Sequence, residues 1–161
     1  MKVFIDTNVI LEYFMHREKY EVAEKLLKEL RNKHAQMFMS VGAFYTIHFI
    51  ILKYLHKEQG LVGEECLQNL RIILNKILQM FDVAEHDKDS LLRGVSDKGY
   101  KDLEDSCQHQ VAQKVGCDAL VSFNISDFAT TDGPLKIYTP QQFIDQILPR
   151  IRGRFLDPCG V

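Results

Sequence analysis

Residues 3–5, Val-Phe-Ile, form an apolar run with no polar alternation, and Asp6 follows at once. Such a run is too short for a helix and leaves no face for water. It predicts a strand covered on both sides, as in the middle of a parallel sheet. Asp6 then stands at the carboxyl end of that strand, the edge at which open α/β sheets bind their ligands. Asp6-Thr7-Asn8 before Val9-Ile10-Leu11 also satisfies the needs of a helix N-cap. Asp6 alone therefore does not separate a site from a cap.

The remaining chain repeats this change of period. Helical patterns follow over 8–14 and 20–30, the second with Val22, Ala23, Leu26, Leu27 and Leu30 on one face. Residues 37–39 predict a second strand, and Ser40 caps a long helix to about residue 56. That helix carries a stripe of Phe44, Ile47, Ile51 and Leu55, with Phe49, Ile50 and Leu52 outside it. The surplus apolar surface predicts a subunit interface and hence a homodimer. A helix over 63–80, a strand over 81–84 and a short helix over 88–95 come next. Asp102 opens a helix that stops at Gly116, where glycine suits a left-handed C-terminal turn. Strands are expected over 119–123 and 136–138, and Thr139-Pro140 starts a last helix. Strands alternating with helices imply right-handed parallel crossovers. The expected fold is α/β, a three-layer α/β/α sandwich with a mainly parallel five-stranded sheet.

Length and charge restrict the function classes. The 161 residues suit one domain. A formal net charge of -2 is not that of a chain devoted to gripping polyanions, so nucleic-acid binding needs a local basic patch. Lys98 and Lys101 beside the Asp102 helix, Arg17 and Lys19 after the first helix, and Arg150, Arg152 and Arg154 near the end are the candidates. Cys66, Cys107, Cys117 and Cys159 form no C-x-x-C pair, and Lys2 leads straight into a strand rather than a secretory leader. Reduced thiols in a cytoplasmic protein are expected. Ser40, Thr46, His48 and Lys53 interrupt the apolar stretch 37–55, so no membrane span is expected.

Acids recur where the strands end. Asp6 follows the first strand, Asp102, Glu104 and Asp105 open the helix before the fourth, and Asn124 and Asp127 follow the fourth. If the first and fourth strands are neighbours, these groups meet at one edge. Carboxylates crowded together repel unless a cation joins them, and hard oxygen ligands select Mg²⁺ or Mn²⁺. Each acid also has an ordinary role: Asp102 as an N-cap with Asp105 in its first turn, Asn124 and Asp127 as turn residues.

The segments Val3-Phe4-Ile5-Asp6-Thr7-Asn8-Val9-Ile10-Leu11, Asp102-Leu103-Glu104-Asp105 followed by Ala112, Cys117 to Phe128, and Tyr138-Thr139-Pro140-Gln141-Gln142-Phe143 together resemble the PIN domain family. Within it they resemble the VapC-like toxin ribonucleases. The likeness runs from residue 1 to about 147, so 1–148 is expected as a PIN-like domain and 149–161 as a tail. The resemblance implies an Mg²⁺- or Mn²⁺-dependent RNA endonuclease, often the toxin of a bacterial toxin–antitoxin pair and often a homodimer. It implies catalytic Asp6, Asp105 and Asp127. Metal ligation falls to Asp6, Asp105, Asn124 and Asp127, with Asn8, Ser40 and Glu104 in support.

The chain departs from the family twice. Asn124 stands where many members have Asp, and residues 44–48, Phe-Tyr-Thr-Ile-His, lack the acid often found two turns into that helix. The alternative is a PIN domain that binds nucleic acid or a partner and cuts weakly. An aspartyl phosphatase is disfavoured, because Asn8 occupies the position where that chemistry wants a second Asp.

Overall fold

The computed structural model describes residues 1–128 and 135–151, and of Asp127 the backbone alone. The chain runs β1 (Lys2–Ile5), α1 (Thr7–Phe14), α2 (Tyr20–Asn32), β2 (Gln36–Ser40), α3 (Val41–Lys57), α4 (Gly63–Met80) and β3 (Asp82–Ala84). It continues with α5 (Lys88–Ser96), α6 (Leu103–Lys114), β4 (Ala119–Val121), β5 (Lys136–Tyr138) and α7 (Pro140–Gln146). Short 3-10 turns cover Ile125–Asp127 and Leu148–Arg150.

The five strands lie in the order β3-β2-β1-β4-β5. Every neighbouring pair is parallel. β1 and β4 are adjacent, with Ile5 opposite Val121, so the condition for convergence of the acids is met. Successive strand side chains point to opposite faces, and the sheet buries both. Val3, Ile5, Met37, Met39, Ala119 and Val121 enter one core with side chains of α1 to α4 and α7. Phe4 and Leu120, with half-buried Phe38 and Ile137, pack instead against Val111 and Ala112 of α6. The result is the three-layer α/β/α sandwich.

Short-range chemistry starts and stops the helices. Ser40 Oγ accepts from the Ala43 N–H at 2.9 Å and caps α3. Asp87 with Ser90 and Thr139 with Gln142 form reciprocal capping boxes on α5 and α7. Pro140 occupies the first turn of α7. Gly116 takes φ +68° just after α6, a conformation that glycine reaches without Cβ strain. Gly94 of α5 lies so close to α6 that a Cβ there would sit 2.7 Å from Cys107 Sγ and 3.0 Å from its Cα.

Two sequence expectations change. The fourth strand stops at Val121, not residue 123: the Ser122 N–H still donates to Tyr138 O at the end of β5, but the Phe123 N–H turns away to Asn8 Oδ1 and the Asn124 N–H to Ser122 Oγ. In α3, Ile50 and Leu52 pack against the core, and the exposed apolar residues are Tyr45 and Phe49, at 65% and 63%. Arg152, Arg154 and the rest of the expected tail from residue 152 lie outside the described residues, as does Cys159. Among those described, no helix is long and apolar enough to cross a membrane, and Cys66, Cys107 and Cys117 are free thiols.

Candidate active site

Asp6 occupies the N-cap position of α1, yet its carboxylate makes no cap hydrogen bond. Its backbone carbonyl accepts from the N–H groups of Val9 and Ile10, and its N–H donates to Val121 O across the β1–β4 ladder. The carboxylate is instead surrounded by donors from three parts of the chain. Ser122 Oγ and Asn8 Nδ2 each donate to Oδ2 at 2.6 Å, and Gln108 Nε2 donates to Oδ1 at 3.2 Å. Asp6 is 2% exposed, and no Lys, Arg or His forms an ion pair with it among the described residues. Burial pushes its carboxyl above the ordinary range, and the charge of Glu104 adds to the rise, while the hydrogen bonds from Ser122, Gln108 and Asn8 pull it down.

The second wall is the start of α6. Asp102 Oδ1 accepts from the Glu104 N–H at 2.7 Å and fixes the first turn. Glu104 Oε1 accepts from Thr7 Oγ1 at 3.0 Å, which ties α6 to the start of α1. Asp105, half-buried in the same turn, raises the Tyr100 phenol together with Asp97 after the larger effect of burial. Gln108 lies three residues beyond Asp105 and four beyond Glu104, so the three share a helix face. The dipole of α6 favours the acids at its first turn.

The third wall is the turn after β4. Ser122 Oγ also receives the Asn124 N–H at 3.0 Å, and the Phe123 N–H donates to Asn8 Oδ1 at 3.1 Å. Asn8 therefore clamps the turn with one amide atom and Asp6 with the other. Asn124 itself is exposed. Asp127 follows on the 3-10 turn, but its side chain lies outside the described residues. Lys19 holds its ammonium 4.8 Å from the Phe123 ring centroid at this rim.

The structure thus joins Asp6 and Asn8 with Ser122 and Gln108 in one bonded network, ties Glu104 to Thr7 beside it and sets Asp105 in the same first turn of α6. Ser40 stands at the end of β2 with its hydroxyl engaged in capping α3, and it has no hydrogen bond to this network. Sequence reasoning did not single out Thr7, Gln108 or Ser122. The spacing of Gln108 from Glu104 and Asp105 was the available signal for one of them.

The site's chemistry suits a hard divalent cation: a desolvated carboxylate without a cationic partner, acids of like charge nearby, and oxygen donors throughout. Among the described residues, no group of three His, Cys, Asp or Glu side chains could hold a metal by itself.

A separate groove of about 710 Å³ lies where β2 begins, at the opposite end of the strands. Tyr13, Arg31, His34, Met37, Lys76 and Met80 are among its walls; no carboxylate lines it among the described residues, while Glu24 lines the adjoining hollow that shares Tyr13, Arg31, His34 and Met80.

Three comparisons bear on the arrangement. Residues 2–126 match the family model of the PIN domain. The chain is 32% identical over 152 residues to the ribonuclease VapC1 of Aquifex aeolicus (strain VF5), spanning 90% of this chain and 94% of that protein. Its fold matches the crystal structure of VapBC2 from Rickettsia felis bound to a DNA fragment from their promoter, with a TM-score of 0.58 and 15% identity. That match covers 86% of this chain and 98% of the other.

Proposed function

Because the chain belongs to the PIN domain family, we propose that it is a divalent-metal-dependent ribonuclease cutting single-stranded RNA, the toxin of a toxin–antitoxin pair. The observation that carries this reading is Asp6: a buried carboxylate held by three donors and paired with no cation among the described residues. Such a group is costly to keep in a fold unless its charge is used.

In this reading Asp6 and Asp105 hold Mg²⁺ or Mn²⁺, with Asn124 and Asp127 completing the ligand set. When bound, the cation lowers the pKa of water and neutralises charge developing on the phosphate. The chain's own residues do the rest. Ser122, Asn8 and Gln108 keep the Asp6 carboxylate from turning to cap α1. Thr7 fixes Glu104, which leaves that acid placed to orient water at the rim. Lys19 and Phe123 offer a phosphate contact and a ring face to the RNA strand beside the site, giving salt-sensitive binding. Residues 1–148 carry the activity, and 149–161 form a tail.

The remaining assignments follow from the same reading. The cations and apolar floor of the groove at the start of β2 suit an acidic antitoxin segment. Exposed Tyr45 and Phe49 suit a homodimer contact. A cytoplasmic setting accords with free thiols and an RNA substrate.

One observation favours a second reading. Residues 44–48 of α3 carry no acid, so the ligand set is thinner than the family's, as for a module that binds RNA but cuts poorly. Cleavage of a fluorescent single-stranded RNA in millimolar Mn²⁺ separates the two. Wild-type protein is expected to cut, and Asp6→Asn to lose at least about 100-fold in rate, the order seen when a group acting on developing charge is removed. Binding of the same RNA without cleavage by the wild type would establish the second reading instead.

A further inference from the structure

Gln108 is 1% exposed and sits in the second turn of α6. Its Nε2 donates to Asp6 Oδ1 at 3.2 Å. Its other amide atom, Oε1, is buried without a hydrogen-bond partner among the described residues. The orientation is dictated by the carboxylate, because the reverse would set two acceptors against each other. A buried acceptor left empty costs about 1–3 kcal/mol. The bond to Asp6 accounts for the donor half of the amide and leaves the acceptor half unexplained. With the amide already bonded to Asp6, an O–H donor small enough to enter a closed site is what Oε1 lacks.

We propose that Gln108 is a positioning residue of the site: its amide N–H fixes Asp6 Oδ1, and its carbonyl oxygen holds a water beside that carboxylate. This rests on the ribonuclease reading and adds to it the residue that orients the water. The two atoms of one planar amide set carboxylate and water at a fixed separation, so the hydration of the site is preorganised before RNA arrives.

The test uses Gln108→Met, which keeps length and shape but removes donor and acceptor, and Gln108→Glu, which keeps acceptors and loses the donor. Melting curves are recorded with and without millimolar Mn²⁺, and kcat and KM are measured on single-stranded RNA. For Gln108→Met the metal-free melting temperature should change little, because the donor lost from Asp6 offsets the removal of the empty acceptor. Its Mn²⁺-induced rise in melting temperature should shrink. Its kcat should fall about 10–100-fold, the usual loss when a group supporting a metal ligand is removed, with KM within about two-fold. Gln108→Glu sets a carboxylate against Asp6, so its metal-free melting temperature should fall and its Mn²⁺ response should exceed that of the wild type.

A merely structural glutamine gives the reverse pattern, with lowered stability in Gln108→Met and unchanged kcat, and that result overturns the proposal. Should Gln108→Met fail to fold, a Gln108→Glu response equal to the wild type's does the same. A wild type that neither cuts RNA nor responds to Mn²⁺ overturns the ribonuclease reading and this inference with it. A responsive, active wild type beside unaltered variants overturns this inference alone.

Discussion

Helices α3 and α6 lie on opposite faces of one sheet, and they are built on opposite principles. α3 has 17 residues and buries Ala43, Ile47, Ile51 and Leu55, one apolar side chain per turn. α6 has 12 residues and buries Ser106, Gln108 and His109 beside Val111 and Ala112. Burial of apolar area stabilises a helix wherever it finds a partner surface. Burial of polar groups stabilises only when each finds a hydrogen bond, and here it is incomplete. Ser106 Oγ donates to Gly94 O at 2.8 Å, but Gln108 Oε1 and both His109 ring nitrogens have no partner among the described residues. The difference teaches that α3 is a structural helix with spare apolar surface. α6 gives up stability in order to carry amide and acid groups to the β1 end.

The contrast can be broken most strongly in α3. Ile47→Ala should lower unfolding free energy by about 2–5 kcal/mol, since Ile47 is fully buried in the larger core. Urea denaturation measures it, and a loss below about 1 kcal/mol would mean that α3 is not the apolar anchor described. Next is the seam that presses α5 onto α6. Gly94→Ala brings a methyl against the Cys107 backbone at 3.0 Å and should cost about 1–3 kcal/mol despite the better helix propensity of alanine. A stabilised variant would show that α5 and α6 can separate freely.

His109 sharpens the α6 side through pH. Burial holds its imidazole below the ordinary histidine range, and the charge of Asp97 opposes this only in part. A lowered folded pKa means that the unfolded chain binds more protons, so stability is full above the ordinary range and falls as pH drops through it. His86 shares that direction, chiefly through burial. Replacement His109→Leu should therefore flatten the decline between pH 7.5 and 5.5 without abolishing it. Equal slopes for parent and variant in paired denaturation curves would contradict this account. The smallest effect belongs to the outer face of α3. Tyr45→Ser with Phe49→Ser should change monomer stability by no more than about 0.5 kcal/mol, as exposed positions do. In sedimentation the pair should shift a dimer toward monomer, and identical sedimentation of parent and variant would remove this face from the interface.

Much of the fold was legible because its signals are local. The period change after Ile5, the caps at Ser40 and Asp102, Gly116 after α6 and Pro140 in α7 all act within a turn or two of the chain. Asp6 and the α6 acids stood out because acids recur at strand ends and helix starts. Ser122 was hidden inside an apolar run and read as part of the strand. Gln108 was hidden because an amide on a helix is ordinarily a surface residue.

Two serines show where sequence stops. Ser40 and Ser122 both close a parallel strand, and both are fully buried. Ser40 is followed by helical residues, so its hydroxyl caps α3 through a contact three positions away. That role is written in the sequence. Ser122 donates to Asp6, 116 residues earlier, and Gln108 to the same carboxylate across 102 residues. Nothing near either residue specifies that choice. The sequence by itself determined the elements, their caps and the acid at the end of β1. Only the tertiary structure decided which donors surround that acid, because hydrogen bonds reach about 3 Å and the pairing of β1 with β4, covered by α6, is what brings such distant groups within that reach.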